Sequence, residues 1–371
     1  MATRCSSCGN DVPEGSFCIR CGNPLSGGSR GFAAAPHERT AVPSLIPTLF
    51  PHLPRADLGT FRIALALGLG AVGVLAVARF YPVAVGVGAA IVPVLTWLYL
   101  DDVDVYEEEP IWLAGIMAAS GAVGGVIAGF FAQAASSSAL GEVTTNDALF
   151  RGIAIPTIAM AIGAIGPLAY LGLHRFNDVL DGVSFGAVAG AALSGALLLS
   201  SSTHLLSSGL RPVGAVGPWL ADLAQMSLLL PVVFASAMGG ALAALWLRLR
   251  APMPERRALG PLGSPAYATL LALLMVWSAS LSRLYLDVYV SLVLVALIAV
   301  VGIVWLRFTI HLGLVQEASE IEITGDVTCP NCRAVTPRHS FCANCGVSLR
   351  ALPKATHSHE IPIIPPTATR T

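Results

Sequence analysis

IWLAGIMAASGAVGGVIAGFFAQ, residues Ile111–Gln133, contains no Asp, Glu, Lys or Arg. At about 1.5 Å of rise per residue it reaches across a hydrocarbon core of about 30 Å as one helix. It has to be helical there, because no water is available in lipid to satisfy backbone N–H and C=O groups. Seven further runs are long and predominantly apolar: Phe61–Arg79, Pro82–Leu100, Phe150–His174, Val183–Leu206, Trp219–Leu247, Ala266–Ser282 and Asp287–Phe308. The sequence therefore predicts an all-α polytopic membrane domain of about eight spans over residues 61–310. Only Arg79-Phe80-Tyr81-Pro82 separates the first two runs, which also allows a re-entrant pair. Trp219–Leu247 exceeds one span, and Pro231 predicts a kink in it.

Composition agrees. Of 371 residues, 55% are hydrophobic and 12% charged, against about a quarter charged in soluble domains. The net charge of −1 supplies no basic field, so nucleic acid is not an expected partner. The first sixty residues hold four cysteines, several prolines and scattered charge, unlike a secretory leader. The first span is then expected to act as its own anchor.

An even number of spans puts both termini on one side. With the N-terminus cytosolic, Arg55, Arg62, Arg175, Arg248, Arg250, Arg256, Arg257 and Arg307 flank the membrane inside. Arg79, Arg151, Arg211 and Arg283 flank it outside. Eight against four follows the positive-inside rule. A multi-pass protein of the cell membrane with cytosolic ends is the expectation, and thiols persist there as free ligands.

The two ends carry one repeated pattern. Cys5-x2-Cys8, nine residues, Cys18-x2-Cys21 recurs as Cys329-x2-Cys332, nine residues, Cys342-x2-Cys345. At the same offset Pro13 matches Pro337, Ser16 matches Ser340, Phe17 matches Phe341, Gly22 matches Gly346 and Leu25 matches Leu349. Two Cys-x2-Cys turns complete a tetrahedral thiolate site with no open position, the arrangement of structural rather than catalytic zinc. Residues 1–25 and 326–350 are thus predicted to be small β-rich zinc ribbons holding two Zn2+ ions. Modules this short cannot bury enough apolar surface to fold without metal. Disulfides would need an oxidising compartment and a redox pair a thioredoxin-like fold. Iron on four thiolates is an alternative that the spacing leaves open. Both ends resemble the short zinc-ribbon family through Phe-Cys-x-x-Cys-Gly at Phe17–Gly22 and Phe341–Gly346. Residues 26–60 read as a Pro/Gly-rich linker and residues 351–371 as a disordered tail.

Gly121, Gly125 and Gly129 stand four apart, as do Gly182, Gly186 and Gly190. That spacing clears one helix face for close backbone approach and predicts tight packing inside the bundle. Between the second and third spans, Asp101, Asp102, Asp104, Glu107, Glu108 and Glu109 crowd one loop. They suit either a hard cation or the positive N-terminus of the next helix.

Pro93 followed by Asp104, Tyr106, Glu107, Glu109 and Pro110 resembles a motif of the PrsW-type intramembrane proteases. Phe176-Asn177-Asp178-Val179-Leu180-Asp181-Gly182, followed by Gly186 and Gly190, is similar to that family's segment linking its fourth and fifth spans. The resemblance covers roughly residues 80–240 and implies a helical protease scaffold. The family's Glu-Glu-x-x-Lys motif is replaced here by residues Ile158–Gly166, and its Glu-Asn pair by Leu197-Leu198. Its later histidine has no counterpart in Trp219–Leu247. Hydrolysis in a bilayer needs an activated water, so the resemblance implies the scaffold without its chemistry.

His204, Asp222 and Asp287 are the fallback catalytic candidates, all at span ends where ionisable groups reach water cheaply. The function expected from these features is a non-catalytic membrane scaffold or sensor that recruits a protein partner through its cytosolic ribbons. A PrsW-type hydrolase and a transporter are the alternatives. A lack of charge at the bilayer midplane weakens the transporter.

Overall fold

The computed structural model describes residues 2–6, 9–20, 22, 24–25, 59–78, 80–103, 111–135, 144–171, 173, 176, 179–203, 216–249, 260–319, 325–329, 332–339, 341–346, 349 and 363–364. They form two compact units. One gathers both ends of the chain, and the other holds the apolar helices.

The helices, in order, are α1 (Gly59–Val77), α2 (Tyr81–Val103), α3 (Ile111–Ala135), α4 (Thr145–Tyr170, in several segments), α5 (Val179–Ser201), α6 (Gly217–Leu249), α7 (Pro265–Tyr285) and α8 (Val288–Ser319). Among the described residues seven helices, α2 to α8, are long and apolar enough to cross a membrane. In α1 the apolar stretch is Ile63–Leu75. The fourth helix starts earlier than its apolar run. Thr144 Oγ1 accepts from the Asp147 backbone N–H, and Asp147 Oδ2 accepts from the Thr144 N–H. This capping box moves the start into polar sequence.

Two prolines reshape their helices in the same way. Residues Ala148–Ala154 of α4 and Gln225–Leu229 of α6 are π-helical, and Pro156 and Pro231 follow each segment by two residues. The Ile155 N–H reaches Phe150 O and the Leu230 N–H reaches Gln225 O, each five residues back. Proline has no N–H to give and its ring crowds the preceding turn. A widened turn absorbs both effects inside a continuous helix.

The fifth and sixth helices are the centre of the bundle: 78% and 72% of their span residues are buried, against 39% or less in the other spans. The glycine faces explain why. A methyl group at Gly121 would run into the carbonyl of Ala189, and one at Gly125 into that of Leu193. On the other side of α5, Gly186 lies against the backbone of Met238 and Gly239, and Gly190 against that of Phe234. Lipid offers no hydrophobic drive for helix association, so cohesion comes from close backbone packing and buried hydrogen bonds. Ser120 Oγ donates to Gly163 O at 3.0 Å between α3 and α4. Gln133 Nε2 donates to Ser200 O at 2.5 Å and to Thr203 Oγ1 at 2.6 Å.

In the first unit, β1 (Ala2–Arg4) pairs antiparallel with β2 (Asp11–Pro13), and β3 (Asp326–Thr328) with β4 (Val335–Pro337). The registers correspond residue for residue: Ala2 faces Pro13 as Asp326 faces Pro337. Of the tail 351–371, the described residues are 363–364. Ile363–Ile364 forms a third strand, β5, antiparallel to β3. Pro362 and Pro365 bracket this pair, and a residue without an N–H cannot extend the ladder.

Candidate metal centre

In the second ribbon, Cys329 stands directly after β3. Its N–H donates to Ala334 O at 2.9 Å, while the Arg333 N–H donates to Cys329 O at 2.7 Å. The first ribbon repeats this turn with Cys5 N–H to Asn10 O and Gly9 N–H to Cys5 O, both 2.9 Å. The turn needs a left-handed residue, and Gly9 (φ 73°) and Arg333 (φ 59°) provide it. The second turn closes with Gly346 N–H on Cys342 O at 2.9 Å, as Gly22 N–H closes on Cys18 O at 2.8 Å.

Glycine costs nothing at that left-handed position, whereas a side chain with a Cβ costs about 1–2 kcal/mol. A methyl group at Gly9 would meet nothing within 4 Å, so Gly9→Val isolates the backbone cost. It is expected to lower local stability by about that amount, and Arg333→Gly to raise it by up to about 1 kcal/mol. Hydrogen-exchange protection of ribbon amides measures both. Equal protection in Gly9→Val and the parent would refute the assignment of strain.

These turns bring Cys329, Cys332, Cys342 and Cys345 together, with every sulfur within 4.8 Å of the others. The Cys329–Cys345 and Cys332–Cys342 sulfurs are each 3.7 Å apart, far beyond the about 2.05 Å of a disulfide. Metal–sulfur bonds of about 2.3 Å in a tetrahedron place sulfurs about 3.8 Å apart. Cys329, Cys342 and Cys345 are buried and Cys332 is half-buried. The cluster could hold a metal ion.

Electrostatics agree with that use. Hydrogen bonds from the Cys329 and Cys345 thiols, helped by the backbone N–H groups of Cys345 and Asn344, bring the Cys342 thiol down to about 2, against the push of burial. Cys329, which gives its proton to that bond, is pushed far up. One sulfur of this hydrogen-bonded pair is thus held toward the thiolate and the other toward the thiol. Bringing further sulfurs to the anionic state requires a cation between them. Asn344 Nδ2 donates to Cys332 Sγ at 3.5 Å, adding a polar donor to the cluster's edge.

Of the first tetrad, Cys5 and Cys18 are both buried, packed with Val12 and Ile19. Cys8 and Cys21 lie outside the described residues, as do the acidic loop 104–109 and His204. Asp222 and Asp287 have structural partners. Arg283 Nη2 donates to Asp222 Oδ1 at 2.6 Å. Asp287 Oδ1 accepts the Tyr289 N–H at 2.9 Å, at the start of α8. Next to them, buried Gln225 donates to Val288 O at 3.0 Å and accepts from Ser291 Oγ at 2.9 Å, tying α6 to α8.

One feature was not foreseen from the sequence: the ribbons dock against each other. The Phe17 N–H donates to Ala343 O, and the Phe341 N–H donates to Ile19 O, both at 2.9 Å. Each phenylalanine ring covers the other ribbon's glycine. A methyl at Gly22 would lie 2.9 Å from Cδ1 of Phe341, and one at Gly346 would lie 2.7 Å from Cδ1 of Phe17. The signal present in the sequence was the pair of matched aromatics. Phe17 and Phe341 are large for such small modules, and both are buried in the docked pair.

No protein-family model, curated protein or solved structure matches this chain.

Proposed function

We propose that this protein is a non-catalytic multi-pass membrane scaffold or sensor that presents two structural zinc ribbons to the cytosol for recruitment of a protein partner. The observation that carries this reading is the closed cluster of Cys329, Cys332, Cys342 and Cys345. Four protein sulfurs leave no position for water or substrate, and zinc fits their number, softness and spacing. Bound there, zinc would supply folding free energy rather than chemistry. The equivalent registers and turns of the first ribbon support a second zinc on Cys5, Cys8, Cys18 and Cys21.

The docked ribbons also bear on topology. Modules sharing two backbone hydrogen bonds occupy the same side of a membrane, so the chain between them crosses an even number of times. Seven crossings would separate them. Counting α1 as the eighth span satisfies this, and the arginine distribution favours the cytosolic side for both ends. The partly matching PrsW-type motifs fit a helical scaffold that has kept packing glycines and lost acid–base residues. The engagement of Asp222 and Asp287 in structural bonds supports a non-catalytic reading.

Metal analysis of protein purified without chelators is expected to give two zinc ions per chain for eight cysteines. A content below about one would remove the metal reading. Topology reporters fused at both ends should both report the cytosol, and one extracytoplasmic terminus would end the eight-span arrangement.

A further inference from the structure

We infer that the two ribbons form a single metal-locked clasp, in which each metal site supplies part of the other's packing surface so that the two fill and empty together. This rests on the two-zinc reading above.

The interface is reciprocal. At the repeat offset, Phe17 corresponds to Phe341 and Ile19 to Ala343, so the two backbone bonds across the interface are one interaction made twice. The ring-on-glycine contacts repeat in the same way, Phe17 over Gly346 and Phe341 over Gly22. Such a self-complementary surface is what two copies of one module use to form a two-fold pair. Here both copies belong to one chain.

The interface is also made of the metal-binding turns themselves. Ile19 lies between Cys18 and Cys21, and Ala343 between Cys342 and Cys345. Gly22 and Gly346 directly follow the last cysteine of each tetrad. Ala343 packs into the first ribbon's core beside Cys5, Val12, Cys18 and Ile19. A methyl at Gly15 would lie 3.0 Å from its Cβ. A turn that loses its metal loses its shape, since nothing else in so small a module sets it. The opposite phenylalanine then loses the surface on which it is buried. By linkage the effect runs equally in both directions. The two ends of the chain, more than 300 residues apart, are therefore held together only while both sites are filled.

The test uses full-length protein in detergent, with zinc release to a competing chromogenic chelator followed over time. In the parent, both ions should leave in one concerted phase. Cys5→Ser with Cys18→Ser leaves only the second tetrad intact, and its zinc is expected to leave at least about tenfold faster than from the parent. Phe17→Ala keeps all eight cysteines and the backbone bond to Ala343 O, and removes the ring that covers Gly346. It should likewise speed loss from Cys329, Cys332, Cys342 and Cys345, with Phe17→Leu falling between it and the parent. Release from the second tetrad at the parent's rate in both variants would overturn the clasp. A parent that holds fewer than two ions would instead overturn the two-zinc reading on which the clasp rests, so the two failures are distinguishable.

Discussion

Cys342→Ser is expected to strip the metal from the second ribbon and unfold it, the largest single-residue effect in this protein. Cys342 is the sulfur already held as a thiolate by its neighbours. A serine oxygen keeps the size but presents a neutral, harder ligand to a site made for soft anions. Structural zinc contributes apparent binding free energies of about 10–16 kcal/mol in modules of this kind, and that energy is their folding energy. Loss of most of it leaves residues 325–349 without a fold. Zinc per chain should fall by at least one, and this segment should become the first site of proteolytic cleavage. Lowering the pH should act in the same direction, because protons compete with the metal for the thiolates. A Cys342→Ser protein that kept its full zinc content and resisted protease would remove the metal-folded ribbon.

The second large effect lies in the bundle. Gly121→Ala and Gly125→Ala on α3 each place a methyl group on a backbone carbonyl of α5, at Ala189 and Leu193. A carbonyl inside a helix cannot rotate away as a side chain can, so the helices must separate. Overpacking of this kind costs about 1–3 kcal/mol and more where backbone has to move. Separation would also disturb the Ser200 hydroxyl, which bonds Ala196 O at 2.7 Å and Gly125 O at 3.3 Å. Gly115→Ala is the internal control on the same helix, because a methyl there meets nothing within 4 Å. It should be neutral or slightly stabilising, alanine being the better helix former by about 1 kcal/mol. Thermal unfolding in detergent should rank Gly115→Ala with the parent and the other two well below. Equal behaviour of Gly115→Ala and Gly121→Ala would show that α3 and α5 are not in close contact in the membrane protein.

The helices and the cysteine turns were legible in the sequence because each obeys a local rule. An uncharged run such as Ile111–Gln133 must satisfy its own backbone in lipid, so length and apolarity suffice to place it. A Cys-x2-Cys turn points two sulfurs one way whatever surrounds it. The glycine spacing showed which faces would pack, but only the fold paired them, setting Gly121 and Gly125 on α5 and Gly186 and Gly190 on α6. Helix periodicity marks a face and carries no label for its partner. Pro231 announced a disturbance, whereas its resolution as a π turn depended on the neighbours that keep α6 continuous, and Pro156 proved to be a second instance. The joining of the two ribbons was decided by tertiary structure alone. Phe17 and Ala343 lie at opposite ends of the chain, and their hydrogen bond exists only in the folded protein. No local pattern of residues carries that distance. The matched phenylalanines and glycines recorded that two surfaces were alike, and docking made them complementary.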